Sequence, residues 1–346
     1  MIYPNPLRHG ARIAVTAPSS GVLPALHPRL NLVIAHLRAQ GFEVEEGLCL
    51  RDEKNSASAP AAQRAAELMQ LLLRNDIDAI FPPWGGELAI ERLDLLDRHA
   101  LKLARPKWLI GYSDTSTLML ALTLRLGWAT AHGPCLMDLA PAKNDSLTAQ
   151  ALAHLSAATG GQFTQHQSSH WQSKWADFEK QPECSYALTD ATEWQCINRP
   201  PRSAVSFSGR LIGGCLDTLM HTAGTPFGDV ASFIRRHQED GVIVYLENSG
   251  LSPEDWVRAL HGLRWHGWLT GLNGVLIGRS AAPDTTSAES LRYADAVRST
   301  LADLPCPVVT DVDIGHLPPQ LMLINGALAQ VRWTSGEGGV ITQKLL

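Results

Sequence analysis

The feature that most restricts this chain is a regular alternation, over its first 126 residues, of short apolar runs with segments of helical periodicity. "ARIAVTAPSS" reads as a strand, after which Leu30, Val33, Ile34 and Leu37 recur at helical spacing until Gly41 stops the helix. "FEVEEGLCL" returns as strand, Ala65, Leu68, Met69 and Leu72 mark a second helix, and "IDAIFPPWGG" is a third strand. "ELAIERLDLLDRHAL" then reads as a third helix and "KWLIGYSD" as a fourth strand. Strands joined through helices need crossover connections, so this part is expected to be a parallel sheet with helices on both faces. Ligands bind such sheets at the carboxyl ends of the strands. Two strand ends carry unusual sequence, "PPWGGE" at 82–87 and "GYSDTS" at 111–116.

From about Pro141 to Ser208 the periodicity degrades into polar, tryptophan-bearing sequence, expected to be an irregular connector. Regular signals resume with "GRLIGGCLDTLMHTAGTPFG", the strand "GVIVYLENS", and a helix opened by Ser252, Pro253 and Asp255 in capping-box order. "GVLIGRS", a helix over 287–303, "CPVVTDVDIGH" and a closing β run, "LMLINGALAQVRWTS", complete a second α/β domain rich in strand. The expected division is 1–165 for the first domain, 166–206 for the connector and 207–346 for the second domain.

Composition removes several function classes. With 346 residues, 45% hydrophobic and 18% charged, the chain can bury a sizeable core. Its net charge of −5, from 34 acidic and 29 basic residues, offers no positive field to nucleic acid or to an anionic membrane. No cationic and apolar leader opens the sequence and no run of 18 apolar residues follows, so a cytoplasmic location is expected. The six cysteines, Cys49, Cys135, Cys184, Cys196, Cys215 and Cys306, lack C-x-x-C spacing, which argues for reduced thiols over a disulfide framework or zinc site. His166 and His170 have i,i+4 spacing without a third ligand nearby and read as a surface loop, so no metal is expected.

Ser113 stands between a strand and a helix, where a tight turn can expose its hydroxyl and helix-initial N–H groups face any negative charge formed beside it. Gly111 sits two residues before it as in G-x-S-x-G, but Thr115 replaces the second glycine. Two readings stay open: a nucleophile, or a cap in which Ser113 or Asp114 only closes the helix start. A serine nucleophile needs a base, and the base an orienting carboxylate. His316, in "DIGH" before Pro318 and Pro319, is placed at a strand end on a stiff turn, as base or as an ordinary loop histidine. Glu247 follows five apolar residues, where a carboxylate is costly unless paired, either with such a base or with a backbone N–H. Gly85 and Gly86 allow the backbone close to a ligand, so one of their amides and that of Asp114 could serve an oxyanion; a simple glycine turn is the alternative. "GRLIGG" lacks the Lys-Ser/Thr of a phosphate loop and reads as close backbone packing.

These residues, with "RIAVTAPSS", "SASAPAAQRAAELM", "WGGELAIERLDLLD", "PKWLIGYSDTSTL", "HGP" at 132–134, "VYLENS" and "GHLPPQLMLINGALAQV", resemble the LD-carboxypeptidase family of serine peptidases over almost the whole chain. That family includes murein tetrapeptide carboxypeptidases and microcin C self-immunity peptidases. The resemblance implies a Ser-Glu-His triad on Ser113, Glu247 and His316 and an oxyanion hole from backbone N–H groups of Gly86 and Asp114. It further implies a flavodoxin-like, class I amidotransferase-like N-terminal domain, a C-terminal domain supplying Glu and His, a homodimer, and no cofactor.

Within the family, "LENSG" and the long connector look more like the immunity branch. Murein-type members usually carry Arg-Gly-Gly where this chain has Trp84-Gly85-Gly86, and relatives often have Asn where Cys215 stands, so Trp84, Gly85 and Cys215 are candidate substrate contacts. A connector tryptophan stacks on the substrate's nucleotide in the immunity branch; Trp194 is the expected match, with Trp171 and Trp175 as rivals and a place in the domain seam as the alternative. The implied substrate is an aminoacyl-nucleotide amide, with murein tetrapeptide as the second possibility and a silent peptide- or nucleotide-binding protein as a third.

Overall fold

The computed structural model describes residues 1–139, 145–175, 177–285, 287 and 289–346. Strands β1 (Arg12–Val15), β2 (Glu43–Glu46), β3 (Ala79–Phe81), β4 (Trp108–Gly111) and β5 (Thr130–His132) pair in parallel in the order β2-β1-β3-β4-β5. Helices α1 (His27–Ala39), α2 (Ala61–Leu73), α3 (Arg98–Leu103) and α4 (Thr115–Leu126) lie between them in sequence. Side chains alternate across a strand, so Ile13 and Val15 meet Leu30, Val33 and Ile34 of α1, while Ala14 between them joins Leu68 and Leu72 of α2. Both faces are thereby covered, as the alternation requires.

The third expected helix is broken. A 3-10 stretch, Ala89–Leu95, is followed by α3, because the Asp97 carboxylate accepts from the His99 and Ala100 amides and restarts the helix there. Beyond α4 come α5 (Ser146–Leu155), β6 (Gln162–His166), β7 (His170–Trp171), β8 (Asp190–Ala191), β9 (Gln195–Cys196) and β10 (Ala204–Cys215). Then follow α6 (Leu216–Leu219), α7 (Val230–Arg236), β11 (Val242–Glu247), α8 (Pro253–Trp265), β12 (Gly274–Gly278), α9 (Tyr293–Leu301) and β13 (Val308–Val312). The last helix is shorter than the 287–303 read from periodicity; residue 288 lies outside the described residues. Ser252 caps α8 as its sequence implies, its hydroxyl accepting from the Asp255 amide at 3.1 Å.

The closing β run divides in two. Gly326, at φ +88°, separates β14 (Leu323–Asn325) from β15 (Leu328–Thr334), and β16 (Gly338–Lys344) follows. β14 pairs antiparallel with β5 in the first sheet, whereas β15 and β16 join the second. That second sheet runs β6-β16-β15-β10-β11-β12-β13-β9, with β10 to β13 parallel at its centre. Strand pairing thus cuts across the expected boundaries: β6 precedes residue 167 yet belongs to the second sheet, and β14 follows residue 207 yet belongs to the first. Helix α4 lies in the seam, with Leu118, Met119 and Leu122 in the first core and Leu120 packed with Ile212, Leu216 and Leu219 of the second. Gly214 permits this approach, since a Cβ there would sit 2.6 Å from Ser116 Cβ. Close packing is therefore the role of "GRLIGG". No helix among the described residues is long and apolar enough to cross a membrane.

Candidate active site

β4 is buried at every residue and delivers Gly111, Tyr112 and Ser113 to its carboxyl end. Ser113 has φ +60°, a left-handed conformation that non-glycine residues adopt at a cost, and Asp114 then turns the chain into α4. The capping alternative fails for both residues. No side chain caps α4 at its N-cap, Asp114. The Asp114 carboxylate instead accepts from Ser19 Oγ at 2.5 Å and the Ala89 amide at 2.7 Å, tying the segment after "PPWGG" to the bend.

Gly85 lies directly over this bend. A Cβ there would fall 2.6 Å from Ser113 Cβ and 2.8 Å from the Asp114 nitrogen, so only glycine leaves room beside both. Gly86, at φ +135°, faces Ser19 and Ser20, whose oxygens a Cβ would approach to 2.5 Å. Among the described residues neither the Gly86 nor the Asp114 N–H donates a hydrogen bond. Trp84 has a different position: its indole N–H donates to the Ser20 and Gly21 carbonyls at 3.1 Å, and its ring packs on the first core.

The second domain brings its own strand ends to the same place. Glu247 terminates the fully buried β11 and is itself 0% exposed. Its Oε2 accepts from His316 Nδ1 at 2.8 Å, and because a carboxylate only accepts, Nδ1 carries the proton and Nε2 is left as acceptor. Glycine again makes the contact possible, since a Cβ on Gly315 would lie 2.4 Å from that same Oε2. Burial opposes charge on both partners, yet their mutual attraction prevails: the Glu247 carboxylate raises the His316 pKa, and His316 lowers that of Glu247. The His316 ring stands edge-on to Tyr112, 4.9 Å between centroids at 87°. Tyr112, the residue before Ser113, is thus the described contact of His316 with the first domain's bend; among the described residues no hydrogen bond joins Ser113 Oγ to His316.

Arg279 fixes the loop that carries His316. It pairs with Asp313 at 2.8 Å and donates to the Leu317 and Pro319 carbonyls, with both charged side chains almost wholly buried. Sequence reading did not single out Arg279, Asp313 or Tyr112, although Arg279 stands just past the strand "GVLIG" and Tyr112 inside "GYSDTS".

One expectation needs correction. Trp194 is 4% exposed, its indole N–H donates to Asp313 Oδ2 at 3.0 Å, and its ring lies against Gly339, where a Cβ would come within 2.0 Å. It packs in the core of the second domain, and what little of it is exposed borders a groove shared with Thr192, Pro200 and Trp333, which none of Ser113, Glu247 and His316 lines. Trp171 donates to the Ala191 carbonyl and covers Arg279, whose guanidinium carbon lies 5.5 Å from its ring. Trp175 is the exposed one of the three, at 42%, held edge-on by Phe178 and Tyr186. Burial pushes the Tyr186 and Tyr112 phenols up, and the charge of one carboxylate, Asp138, adds to both shifts. Cys215 ends β10 opposite Glu247 and is fully buried, with its thiol 3.5 Å from Asp217 Oδ2.

A left-handed serine at a strand-to-helix bend and a carboxylate-bound imidazole are residue types that hydrolase sites use. The chain belongs to the LD-carboxypeptidase family: the model of that family's N-terminal domain matches residues 13–133 and that of its C-terminal domain residues 208–331. A Streptomyces coelicolor protein whose name assigns it to the carboxypeptidases is 30% identical over 97% of this chain and 95% of its own. In fold, the chain resembles the microcin C7 self-immunity protein MccF solved with aspartyl sulfamoyl adenosine, with a TM-score of 0.84, 20% identity and 99% of each chain covered. It also resembles a muramoyltetrapeptide carboxypeptidase from Oxalobacter formigenes, with a TM-score of 0.73, 20% identity, and 96% and 99% covered.

Proposed function

We propose that this protein is a serine hydrolase of the carboxypeptidase type, acting through Ser113, His316 and Glu247. The observation that carries the reading is the His316–Glu247 hydrogen bond at the end of β11, with the His316 ring packed edge-on to Tyr112, the residue that precedes the left-handed Ser113 at the end of β4. Ser113 Oγ attacks the scissile carbonyl while His316 Nε2 takes its proton, then returns one to the leaving amine. Glu247 holds the Nδ1 tautomer and stabilises the imidazolium. The amides of Asp114 and Gly86 receive the charge of the tetrahedral intermediate, and water releases the acyl group.

For substrate we favour an aminoacyl-nucleotide amide. Support comes from the long connector and the exposed ring of Trp175, which replaces Trp194 as the stacking surface for a base. Murein tetrapeptide is the competing substrate, since family relatives include a protein named as a murein peptide carboxypeptidase. The working unit is a homodimer, a point that light scattering of the eluted protein tests directly.

The deciding experiment is a mass-spectrometric time course on murein tetrapeptide and on glutamyl- or aspartyl-sulfamoyl adenosine. Wild type is expected to cleave the nucleotide conjugate, Ser113→Ala to lose at least about 10³-fold, and Trp175→Ala to raise KM for the conjugate while Trp194→Phe does not. Release of D-alanine alone makes it a murein enzyme. Full activity in Ser113→Ala overturns the nucleophile assignment.

A further inference from the structure

Cys215 closes β10 in register with Glu247 on β11, so a thiol and a carboxylate share one layer at the sheet's end. The Cys215 sulfur, a Glu247 carboxylate oxygen and an imidazole nitrogen of His316 all lie within 4.8 Å of one another. Glu247 Oε2 takes the His316 hydrogen bond, but Oε1, buried and in a fully buried residue, has no partner among the described residues. Thiolate, carboxylate and imidazole form a ligand set suited to zinc. Zinc bonds of about 2.0–2.3 Å in a tetrahedron put donor atoms roughly 3.3–3.8 Å apart, so small side-chain rotations close the set around one ion. One thiolate and one carboxylate match the charge of a divalent cation, the imidazole adds none, and the Asp217 carboxylate, 3.5 Å from the sulfur, adds negative charge beside the site. His316, whose side chain is 17% exposed, is the side from which an ion reaches the other two.

We propose that Cys215, Glu247 and His316 form a binding site for a thiophilic divalent cation, Zn²⁺ foremost, and that its occupation reversibly inhibits the enzyme. The Cys215 thiol releases its proton to solvent as the S–Zn bond forms. The His316 proton moves from Nδ1 to Nε2, so that Nδ1 ligates the metal and the acceptor nitrogen needed for proton transfer is lost. No oxidation or reduction occurs. Inhibition rests on the catalytic role proposed above for His316, whereas binding does not.

Cobalt(II) added to the chelator-treated full-length protein separates the two. The expected result is one ion per chain, with a thiolate-to-cobalt charge-transfer band that added Zn²⁺ removes. The band is expected to vanish in Cys215→Ser, with Zn²⁺ affinity falling about 100-fold or more, and to persist in Cys135→Ser, another buried thiol. His316→Gln, altered at the partly exposed ligand, serves if Cys215→Ser does not fold, and should retain the band with cobalt affinity weakened at least about tenfold. Absence of the band in wild type, or its persistence in Cys215→Ser, overturns the site, as does undiminished affinity in His316→Gln. On whichever substrate is hydrolysed, Zn²⁺ should stop turnover and EDTA restore it; a bound ion without inhibition overturns the inhibitory role. Should neither substrate be cleaved even without metal, the proposed function fails while the cobalt band still decides the site.

Discussion

At Ser113 the chain accepts backbone strain to present a hydroxyl. A left-handed non-glycine residue costs of order 1 kcal/mol, and glycine at the same position does not. Ser113→Gly should therefore be more stable than Ser113→Ala by about 1 kcal/mol in urea unfolding, although both lose the nucleophile. Equal stability would show that the bend is not strained. The second expectation at this scale concerns His316, whose pKa is raised by Glu247 against the opposing effect of burial. A base must be neutral to act, so kcat/KM should rise with pH through an apparent pKa above the ordinary histidine value of about 6.5 and be lost below it. In Glu247→Gln that limb should move to lower pH while the plateau falls at least about 10²-fold. An unmoved limb would assign the titration to another group. Ser113, Glu247 and His316 stand out in sequence because each lies past an apolar run and each is chemically conspicuous there, and the structure joins two of them in the His316–Glu247 hydrogen bond. A tryptophan in aperiodic sequence carries no mark of which way it faces, so the burial of Trp194 shows only in its Asp313 contact and the closeness of Gly339.

Among the elements, α4 explains an oddity of its own sequence. It is apolar nearly all round because it has a core on two sides, the first sheet at Leu118 and Leu122 and the second domain at Leu120. The parallel strands were equally readable, since each is a short apolar run between helical periods. The broken third helix and the split closing strand were not: periodicity runs through Asp97 and Gly326, and a side-chain cap in one case and a positive φ in the other interrupt it. The loop after β13, which carries His316, shows what holds a segment in place when it is not itself regular structure. Arg279 satisfies two carbonyls of that loop and the buried charge of Asp313, which also accepts from Ser168 and Trp194. Arg279→Met should cost about 3–5 kcal/mol by leaving Asp313 uncompensated, and should lower kcat more than it raises KM because it displaces the base and not the substrate. Thermal unfolding and steady-state kinetics check the two halves of that statement; a change in KM alone would mean that Arg279 touches substrate.

For the molecule as a whole, the informative strand is β14. Six residues separate His316 from Leu323, where the chain enters the first sheet beside β5, and β5 in turn adjoins β4, the strand that delivers Ser113. A fragment of residues 1–206 would lack β14 and expose the β5 edge, and it would leave the Leu120 face of α4 uncovered. Such a fragment should be insoluble or aggregate on expression, whereas the full chain stays dispersed; a soluble, folded 1–206 fragment would show that the first domain is self-sufficient. The same strand bears on heredity. Because the chain passes from His316 into the sheet that carries Ser113, neither half can be exchanged for a foreign domain by recombination at the connector without also replacing a strand of the other. Recombination at the connector is therefore expected to yield chimeras that do not fold unless both halves travel together.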